Sequence, residues 1–230
     1  MNLISKSLLL TLWIALTSNA FALSDQEAAD RGITQSIVPT KSGMHVLMNI
    51  GLTYGGDKIG TVNFYNSNGS ISHSKDIKAG ALYQMGIGGI YQFEDKPLAL
   101  MLSVNYHTDI ASGSNGSISF SRIPVEAIAY YTGKEQFRFG GGVRMVNAPE
   151  FSSDVSSPAS PVKKMTFKNA TGLVGEIGYQ LSSQGWLNFR FVSEKYDADT
   201  LTLWNGASGS IAGSAPLAAS HMGVNFTYVY

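Results

Sequence analysis

The sequence has no cysteine and no long uninterrupted apolar segment. Its 230 residues include 16 basic and 16 acidic side chains, so the formal net charge at pH 7 is zero. Without cysteine the chain forms no disulfide and no thiolate metal site. Without 18 consecutive apolar residues it does not cross a membrane as a helical bundle. The balanced charge also excludes the basic surface that attracts nucleic acid.

The N-terminus has the features of a secretory signal peptide. Lys6 precedes an apolar stretch at 8–16, and Ala20, Phe21 and Ala22 follow in a small-x-small pattern. The apolar stretch is too short to span a bilayer. We therefore expect 1–22 to be a signal peptide that is cleaved after Ala22, so that the mature chain begins with a polar periplasmic segment, 23–43.

From Met44 onwards, apolar side chains alternate with polar or small ones. A period of two residues predicts β-strands with two different faces. Each predicted strand holds about ten residues, the length that a tilted strand needs to cross a bilayer. Eight such segments are predicted, at 45–54, 82–93, 98–107, 122–131, 137–145, 171–181, 187–194 and 221–230.

The connections between these segments alternate between long and short. The long ones are 55–80, 108–117, 147–165 and 197–219, and the short ones are 94–97, 132–136 and 182–185. Short periplasmic turns and long extracellular loops are typical of bacterial outer-membrane barrels. The fold class predicted for 44–230 is therefore all-β, an eight-stranded antiparallel transmembrane β-barrel.

The long connections contain the residues most available to partners. In the first, 61–65 and 70–77 flank the Gly-containing segment 66–69, which predicts a hairpin outside the membrane that extends the first two strands. Phe151 and Trp204 lie in the third and fourth long connections. Both are expected to be exposed, where they can touch lipid headgroups.

Charged side chains are concentrated on one face of the predicted strands. They are Arg122, Glu126, Arg138, Arg144, Glu176, Arg190 and Glu194. A basic side chain that faces lipid at the midplane costs about 2–4 kcal/mol, so these faces are predicted to point into the barrel. Lys195 is the exception, at the outer end of its strand. A soluble barrel would instead place the aromatic faces in a lumen too narrow for them.

An eight-stranded lumen is just wide enough for side chains to fill it. Because isolated buried charges are costly, the seven charged residues are expected to form a hydrogen-bonded network. Pairing between neighbouring strands, such as Glu126 with Arg138, is the expected contact. The network then acts as a structural plug, and the alternative is a gated ion path along the same side chains.

The last residues resemble the C-terminal assembly signal of outer-membrane barrels. The pattern consists of a polar residue, a glycine, alternating hydrophobic residues and a terminal aromatic, here His221, Gly223, Phe226, Tyr228 and Tyr230. With the signal peptide and eight strands, the chain is similar to the OmpA-type barrel domains, OmpX and OmpW. The resemblance implies the outer membrane of a Gram-negative bacterium, contact with lipid and lipopolysaccharide, and folding by the barrel-assembly machinery through the last strand. Tyr230 stands where phenylalanine is more usual.

These observations predict a monomeric, non-enzymatic barrel with a structural or surface-binding role and no cofactor or metal. One alternative is a narrow, porin-like conduit for ions or small hydrophobic solutes. The other is a lipid A-modifying enzyme, which would use His107 or His221 near the outer rim. Asp109, Ser119 and Ser121 lie close to His107 in the sequence and offer the other groups that such chemistry needs.

Overall fold

Regular secondary structure is β-strand wherever the structure describes the chain. The computed structural model describes residues 41–65, 70–113, 116–134, 136–155 and 161–230. The predicted signal peptide lies outside these residues, as does nearly all of the predicted periplasmic segment. Within the described ranges, no helix is both long enough and apolar enough to cross a membrane.

Fifteen strands follow one another along the described residues. They are β1 (Gly43–Gly55), β2 (Lys58–Tyr65), β3 (Ile71–Lys78), β4 (Leu82–Gln92), β5 (Leu98–Gly113), β6 (Gly116–Lys134), β7 (Phe137–Ser153), β8 (Val162–Phe167), β9 (Ala170–Gln180), β10 (Gly185–Ser193), β11 (Lys195–Tyr196), β12 (Ala198–Leu203), β13 (Ser208–Ser210), β14 (Leu217–Ala218) and β15 (His221–Val229).

Eight of these strands close into an antiparallel barrel. Around the ring the order is β1, β4, β5, β6, β7, β9, β10 and β15, and β15 pairs with β1 to complete it. Each predicted segment lies within one of these strands or exceeds it by a single residue. The predicted fold class, an eight-stranded antiparallel barrel, is confirmed.

The three short turns fall where the sequence predicts them. They lie between β4 and β5, between β6 and β7, and between β9 and β10. In the first of them Asp95 has φ +55°, a left-handed conformation that aspartate tolerates better than most residues. The end of the barrel that carries these turns is called the turn end below, and the opposite end is called the cap end.

At the cap end, strands continue well beyond the predicted lengths. β5 reaches Gly113 and β6 starts at Gly116, so the predicted loop at 108–117 is wrong and a strand pair takes its place. β7 likewise reaches Ser153. The alternation continues in these extensions, but serine and threonine replace the apolar residues of the outer face, and this composition resembles that of a loop.

The third and fourth long connections also contain strands. β8, β12 and β13 add to the sheet beside the extended β7, in the order β7, β8, β12, β13. β11 pairs separately with β14. The chain at the cap end is therefore largely a folded β-structure, where the sequence predicts irregular loops.

The predicted hairpin in the first long connection is present as β2 and β3. The sequence predicts that this hairpin extends the ladders of β1 and β4, and that part of the prediction is wrong. The hairpin forms its own two-stranded sheet, which we call the lid. The lid contributes Val62 and Ile77 to an apolar cluster that we call the cap core, to which Ala79, directly after β3, also belongs. Its other buried members are Ala111, Ile118, Phe120, Val146, Phe151, Phe167, Tyr196, Ala198 and Ala219.

A one-residue bulge in β7 decides which face enters the cap core. Ser121 lies opposite Glu150, whereas Ile123 lies opposite Asn147, so β7 has one residue more than β6 between these pairs. Ala148 in the bulge has φ +47°. The bulge reverses the faces of β7 beyond it and buries Phe151, which is 6% exposed. The prediction that Phe151 is exposed is wrong for this reason.

Candidate functional site

A continuous chain of charged side chains lies in the lumen. Glu126 on β6 is directly opposite Arg144 on β7, and Oε1 of Glu126 lies 3.3 Å from Nη1 of Arg144. Arg190 on β10 forms an ion pair with the other carboxylate oxygen of Glu126. Nε of Arg190 lies 2.8 Å from Oε1 of Glu176, and Nε of Arg144 lies 3.0 Å from Oε2 of Glu194. Five side chains of alternating sign thus form what we call the ion-pair chain.

A tyrosine stands at each end of the ion-pair chain. The Tyr130 hydroxyl donates to Oε2 of Glu176, and the Tyr196 hydroxyl donates to Oε1 of Glu194 at 2.6 Å. Tyr196 belongs to the cap core. Tyr130 belongs to a second apolar cluster, which we call the inner plug and which comprises Leu47, Ile90, Ala99, Met101, Ile128, Tyr130, Val174, Trp186, Val192 and Val229. The ion-pair chain therefore joins two apolar clusters.

The buried charges balance. Four arginines, Arg122, Arg138, Arg144 and Arg190, face four carboxylates, Asp109, Glu126, Glu176 and Glu194, and each of the eight is at most 5% exposed. Four positive and four negative charges sum to zero. An interior without net charge limits the cost of burying the charged side chains, and it leaves no excess sign to attract a free ion.

Arg138 does not pair with Glu126, and that prediction is wrong. The register of β6 and β7 places Arg144 opposite Glu126, whereas Arg138 lies beside the turn. Its Nε and Nη2 donate to Oδ1 of Asn188 at 3.1 and 2.8 Å. Its guanidinium carbon lies 4.3 Å from the ring centre of Tyr130 and 4.5 Å from that of Trp186. Arg138 is therefore held by an amide and two aromatic faces.

Arg122 lies on the cap side of the ion-pair chain. Its Nη2 is 2.8 Å from Nδ1 of His107, and its guanidinium carbon is 5.1 Å from the ring centre of Phe120. The rings of His107 and His221 pack edge to face, with their centres 5.1 Å apart. Oγ1 of Thr53 lies 2.8 Å from Nε2 of His107. Both histidines are thus buried among polar side chains of the lumen, not at an open rim.

The grouping that the lipid A-modifying hypothesis needs is not formed. His107 lies opposite Arg122 and points inward, whereas Ser121 lies opposite Thr108 and Ser119 lies opposite Ile110, on the outer face. The serines and the imidazole therefore occupy different faces of the same strand pair. Among the described residues, no three His, Asp or Glu side chains form a group that could hold a metal ion.

The lid is anchored to the lumen through Asp109. Oδ1 of Asp109 lies 3.2 Å from Nζ of Lys75, and its Oδ2 accepts a hydrogen bond of 2.8 Å from the backbone nitrogen of Lys78. Asp57 adds a second anchor, since its Oδ2 accepts from the backbone nitrogen of Ala218 at 2.8 Å. The inward position of Asp109 follows from the alternation of β5. Its partners do not, because nothing local in the sequence indicates which way the lid folds.

The outer wall of the ring exposes large apolar side chains. Ile87, Leu102 and Leu173 are exposed over 63%, 58% and 65% of their surface. Soluble proteins rarely expose contiguous apolar patches of more than a few hundred Å². A closed ring in which neighbouring strands pair throughout is also one of the two structures that hydrocarbon permits. The protein is a small transmembrane β-barrel.

The barrel is similar in shape to several proteins of known structure. No protein-family model and no curated protein matches the chain. It is similar to Ail, the attachment invasion locus protein of Yersinia pestis, solved in complex with the heparin analogue sucrose octasulfate (9% identity, 83% of this chain and 100% of that chain, TM-score 0.48). It is also similar to Neisserial surface protein A (10% identity, 82% and 98%, TM-score 0.44) and to outer membrane protein OprG from Pseudomonas aeruginosa (17% identity, 84% and 98%, TM-score 0.44). The fold assignment rests on the strand pairing and burial in this barrel itself.

The last strand, β15, holds Gly223, Phe226 and Tyr228 of the predicted assembly signal, and Tyr230 follows it directly. β15 lies between β1 and β10, where it closes the barrel. Tyr228 donates from its hydroxyl to Oε1 of Gln184 at 2.6 Å, and the Tyr230 ring centre lies 4.7 Å from that of Tyr228. A Cβ on Gly223 would lie 2.5 Å from the backbone oxygen of Leu52. These residues therefore pack into the closed barrel. Their role in assembly stays a prediction.

Adjacent glycines of β7 permit a matched test of lumen packing. A Cβ on Gly140 would lie 2.5 Å from the ring of Tyr130, while a Cβ on Gly141 would meet nothing within 4 Å. We expect Gly140→Ala to lower the free energy of unfolding by about 1–3 kcal/mol through overpacking. Gly141→Ala, the control, should change it by less than about 0.5 kcal/mol. Urea unfolding in lipid vesicles measures both, and equal losses would show that the lumen is not tightly packed at Tyr130.

Proposed function

We propose that the protein is an outer-membrane barrel with a closed lumen, which crosses the membrane without conducting solutes. The observation that carries this proposal is the ion-pair chain, with an apolar cluster at each of its ends. An ion that crossed the lumen would have to shed its water among the side chains of the inner plug and the cap core. Removing an ion from water costs several kcal/mol even after a protein relaxes around it.

In the proposed orientation the turn end faces the periplasm and the cap end faces the outside of the cell. Short turns on one side and long connections on the other support this orientation. The barrel would contact lipid and lipopolysaccharide along its outer wall and reach the membrane as a monomer. Its last strand, β15, would be the part that the barrel-assembly machinery engages.

The role that we propose is structural or surface-binding and non-enzymatic. It is supported by the separation of Ser119 and Ser121 from His107, because nucleophilic catalysis needs the nucleophile within hydrogen-bond reach of its base. The lid and the added strands at the cap end share one apolar cluster. Together they would present a folded surface outside the membrane, held in place by the barrel.

We expect the mature protein, 23–230, to produce no conductance steps in a planar bilayer. The physical reason is the sealed, neutral lumen. Folding is checked in the same preparation by a difference in gel mobility between boiled and unboiled samples, and Glu126→Gln is measured beside the native sequence.

Reproducible conductance steps from folded protein, altered by Glu126→Gln, would overturn the closed barrel and establish the alternative, a narrow channel past the ion-pair chain. The absence of conductance steps from both folded proteins supports the proposal. The next question would then be which molecules bind at the cap end.

A further inference from the structure

The outer face of the cap-end sheet carries two regular rows of polar side chains. Each row has one residue on each of β5, β6, β7, β8, β12 and β13, in direct register across the sheet. The rows are Thr108, Ser121, Glu150, Thr166, Thr200 and Ser210, and Ile110, Ser119, Ser152, Lys164, Thr202 and Ser208. Nine of these twelve side chains bear a hydroxyl group, and we call the surface the hydroxyl face.

Over β5, β6 and β7 the hydroxyl face is one side of a sheet whose other side is buried. Phe120 and Phe151, which alternate with its residues on β6 and β7, belong to the cap core and are 0% and 6% exposed. The bulge at Ala148 places Glu150 and Ser152 in the rows, by reversing the faces of β7. With strands about 4.8 Å apart, the six strands give a surface about 24 Å wide.

The position of the hydroxyl face follows from the strands that it shares with the barrel. On β5, Tyr106 of the outer wall is 47% exposed, and Thr108 is the next outward residue. On β6, Ile123 is 44% exposed, and Ser121 is the next outward residue towards the cap end. The outer surface thus changes from apolar to hydroxyl-bearing within one pleat. On β5 and β6 the hydroxyl face therefore lies directly above the lipid-facing wall and points in the same direction.

The two rows of the hydroxyl face carry no net charge. Its one lysine, Lys164, lies with Nζ 2.8 Å from Oε2 of Glu150, the one carboxylate of the rows. A surface without excess positive charge does not favour nucleic acid. Ile110 is its one apolar side chain, so it offers little to a hydrophobic partner.

Several hydroxyls of the hydroxyl face are available to a ligand. Those of Thr108, Ser119, Ser121, Ser152 and Thr166 make no hydrogen bond to any other residue in the described part of the chain. A hydroxyl group both donates and accepts, so an array of them complements a ligand that does the same at many points. Saccharides have this chemistry.

We propose that the hydroxyl face binds the saccharide headgroups of the glycolipid that surrounds the barrel. The acyl chains of that glycolipid would lie against the apolar wall, and its sugars would meet the hydroxyl face one pleat above. This inference rests on the proposed outer-membrane location and cap-end orientation. It does not depend on whether the lumen conducts.

The test compares two double variants of the mature barrel. Ser119→Ala with Ser152→Ala removes two facing hydroxyls of one row. The control, Ser183→Ala with Ser193→Ala, removes two exposed hydroxyls from the turn end and from the wall of β10. Rough lipopolysaccharide, which bears core sugars, is titrated onto each protein in phospholipid bicelles. The rise in the heat-unfolding midpoint gives an apparent dissociation constant.

We expect the first variant to bind rough lipopolysaccharide about tenfold more weakly, as the loss of about two net hydrogen bonds implies. The control should bind as the native protein does. Equal binding by all three folded proteins would overturn the proposal. If free core oligosaccharide showed the same binding and the same loss, a soluble saccharide would replace the membrane glycolipid as the ligand. Conductance by the native protein would contradict the closed barrel and leave these binding results unaffected.

Discussion

Replacing Glu126 by alanine is expected to lower the free energy of unfolding by about 3–5 kcal/mol, the usual cost of removing one partner from a buried ion pair. Glu126 is 1% exposed and pairs with both Arg144 and Arg190. Its loss leaves Arg144 with Glu194 and Arg190 with Glu176, so the ion-pair chain breaks in the middle and the lumen gains a net positive charge. Urea unfolding of the refolded barrel in vesicles measures the change.

Glu150→Ala is the matched control for Glu126→Ala. Glu150 also pairs with a basic residue, Lys164, at 2.8 Å, but the two side chains are 34% and 45% exposed. Exposed pairs contribute at most about 1 kcal/mol, so this variant should be nearly as stable as the native protein. If Glu126→Ala cost no more than Glu150→Ala, the ion-pair chain would not stabilise the barrel.

Phe120→Ala is expected to lower the free energy of unfolding by about 3–5 kcal/mol and to loosen the lid. The ring of Phe120 is fully buried, with its centre 5.6 Å from that of Phe167 and 5.8 Å from that of Tyr196. Truncation leaves a cavity in the middle of the cap core, against which Val62 and Ile77 of the lid are packed. The measurements are urea unfolding and the rate at which added protease cleaves within 57–80.

The control for Phe120→Ala is Phe139→Ala on the same barrel. Phe139 faces outward and is 46% exposed, so lipid fills the space that its ring leaves. We expect a smaller loss of stability and no change in cleavage of the lid. Cleavage of Phe120→Ala at the native rate, together with native stability, would show that the lid is held by its polar anchors alone.

Most of the barrel could be predicted from the sequence because a membrane imposes a strict alternation. A residue such as Leu102 must face lipid and Ser103 must face the lumen, so both faces of each strand can be assigned from the sequence. The alternation weakens where lipid ends. Thr108 and Ser121 face outward as Tyr106 and Ile123 do, but water and headgroups accept hydroxyls there. The apolar residues that mark a strand in the membrane are therefore missing, and the extensions resemble loops.

Pairings in the lumen were beyond prediction for a different reason. The partner of Glu126 depends on the register of β6 and β7, which the turn between them sets, and Arg138 stands three pleats away from Arg144 along β7. Arg190 reaches Glu126 from the far side of the lumen, a contact that no local pattern reports. No sequence pattern indicates the bulge at Ala148 either, and Phe151 is buried because of that bulge.

The ion-pair chain also has a consequence for the lifetime of the folded barrel. Glu126 and Arg190 are 64 residues apart and stand on strands that are not neighbours in the ring. Their contact exists only after the sheet has curled round and brought β6 and β10 to face each other across the lumen. Interactions that form after the rate-limiting step slow unfolding and leave the folding rate nearly unchanged. We therefore expect the buried ion pairs to lower the unfolding rate of the barrel and to leave its folding rate nearly unchanged.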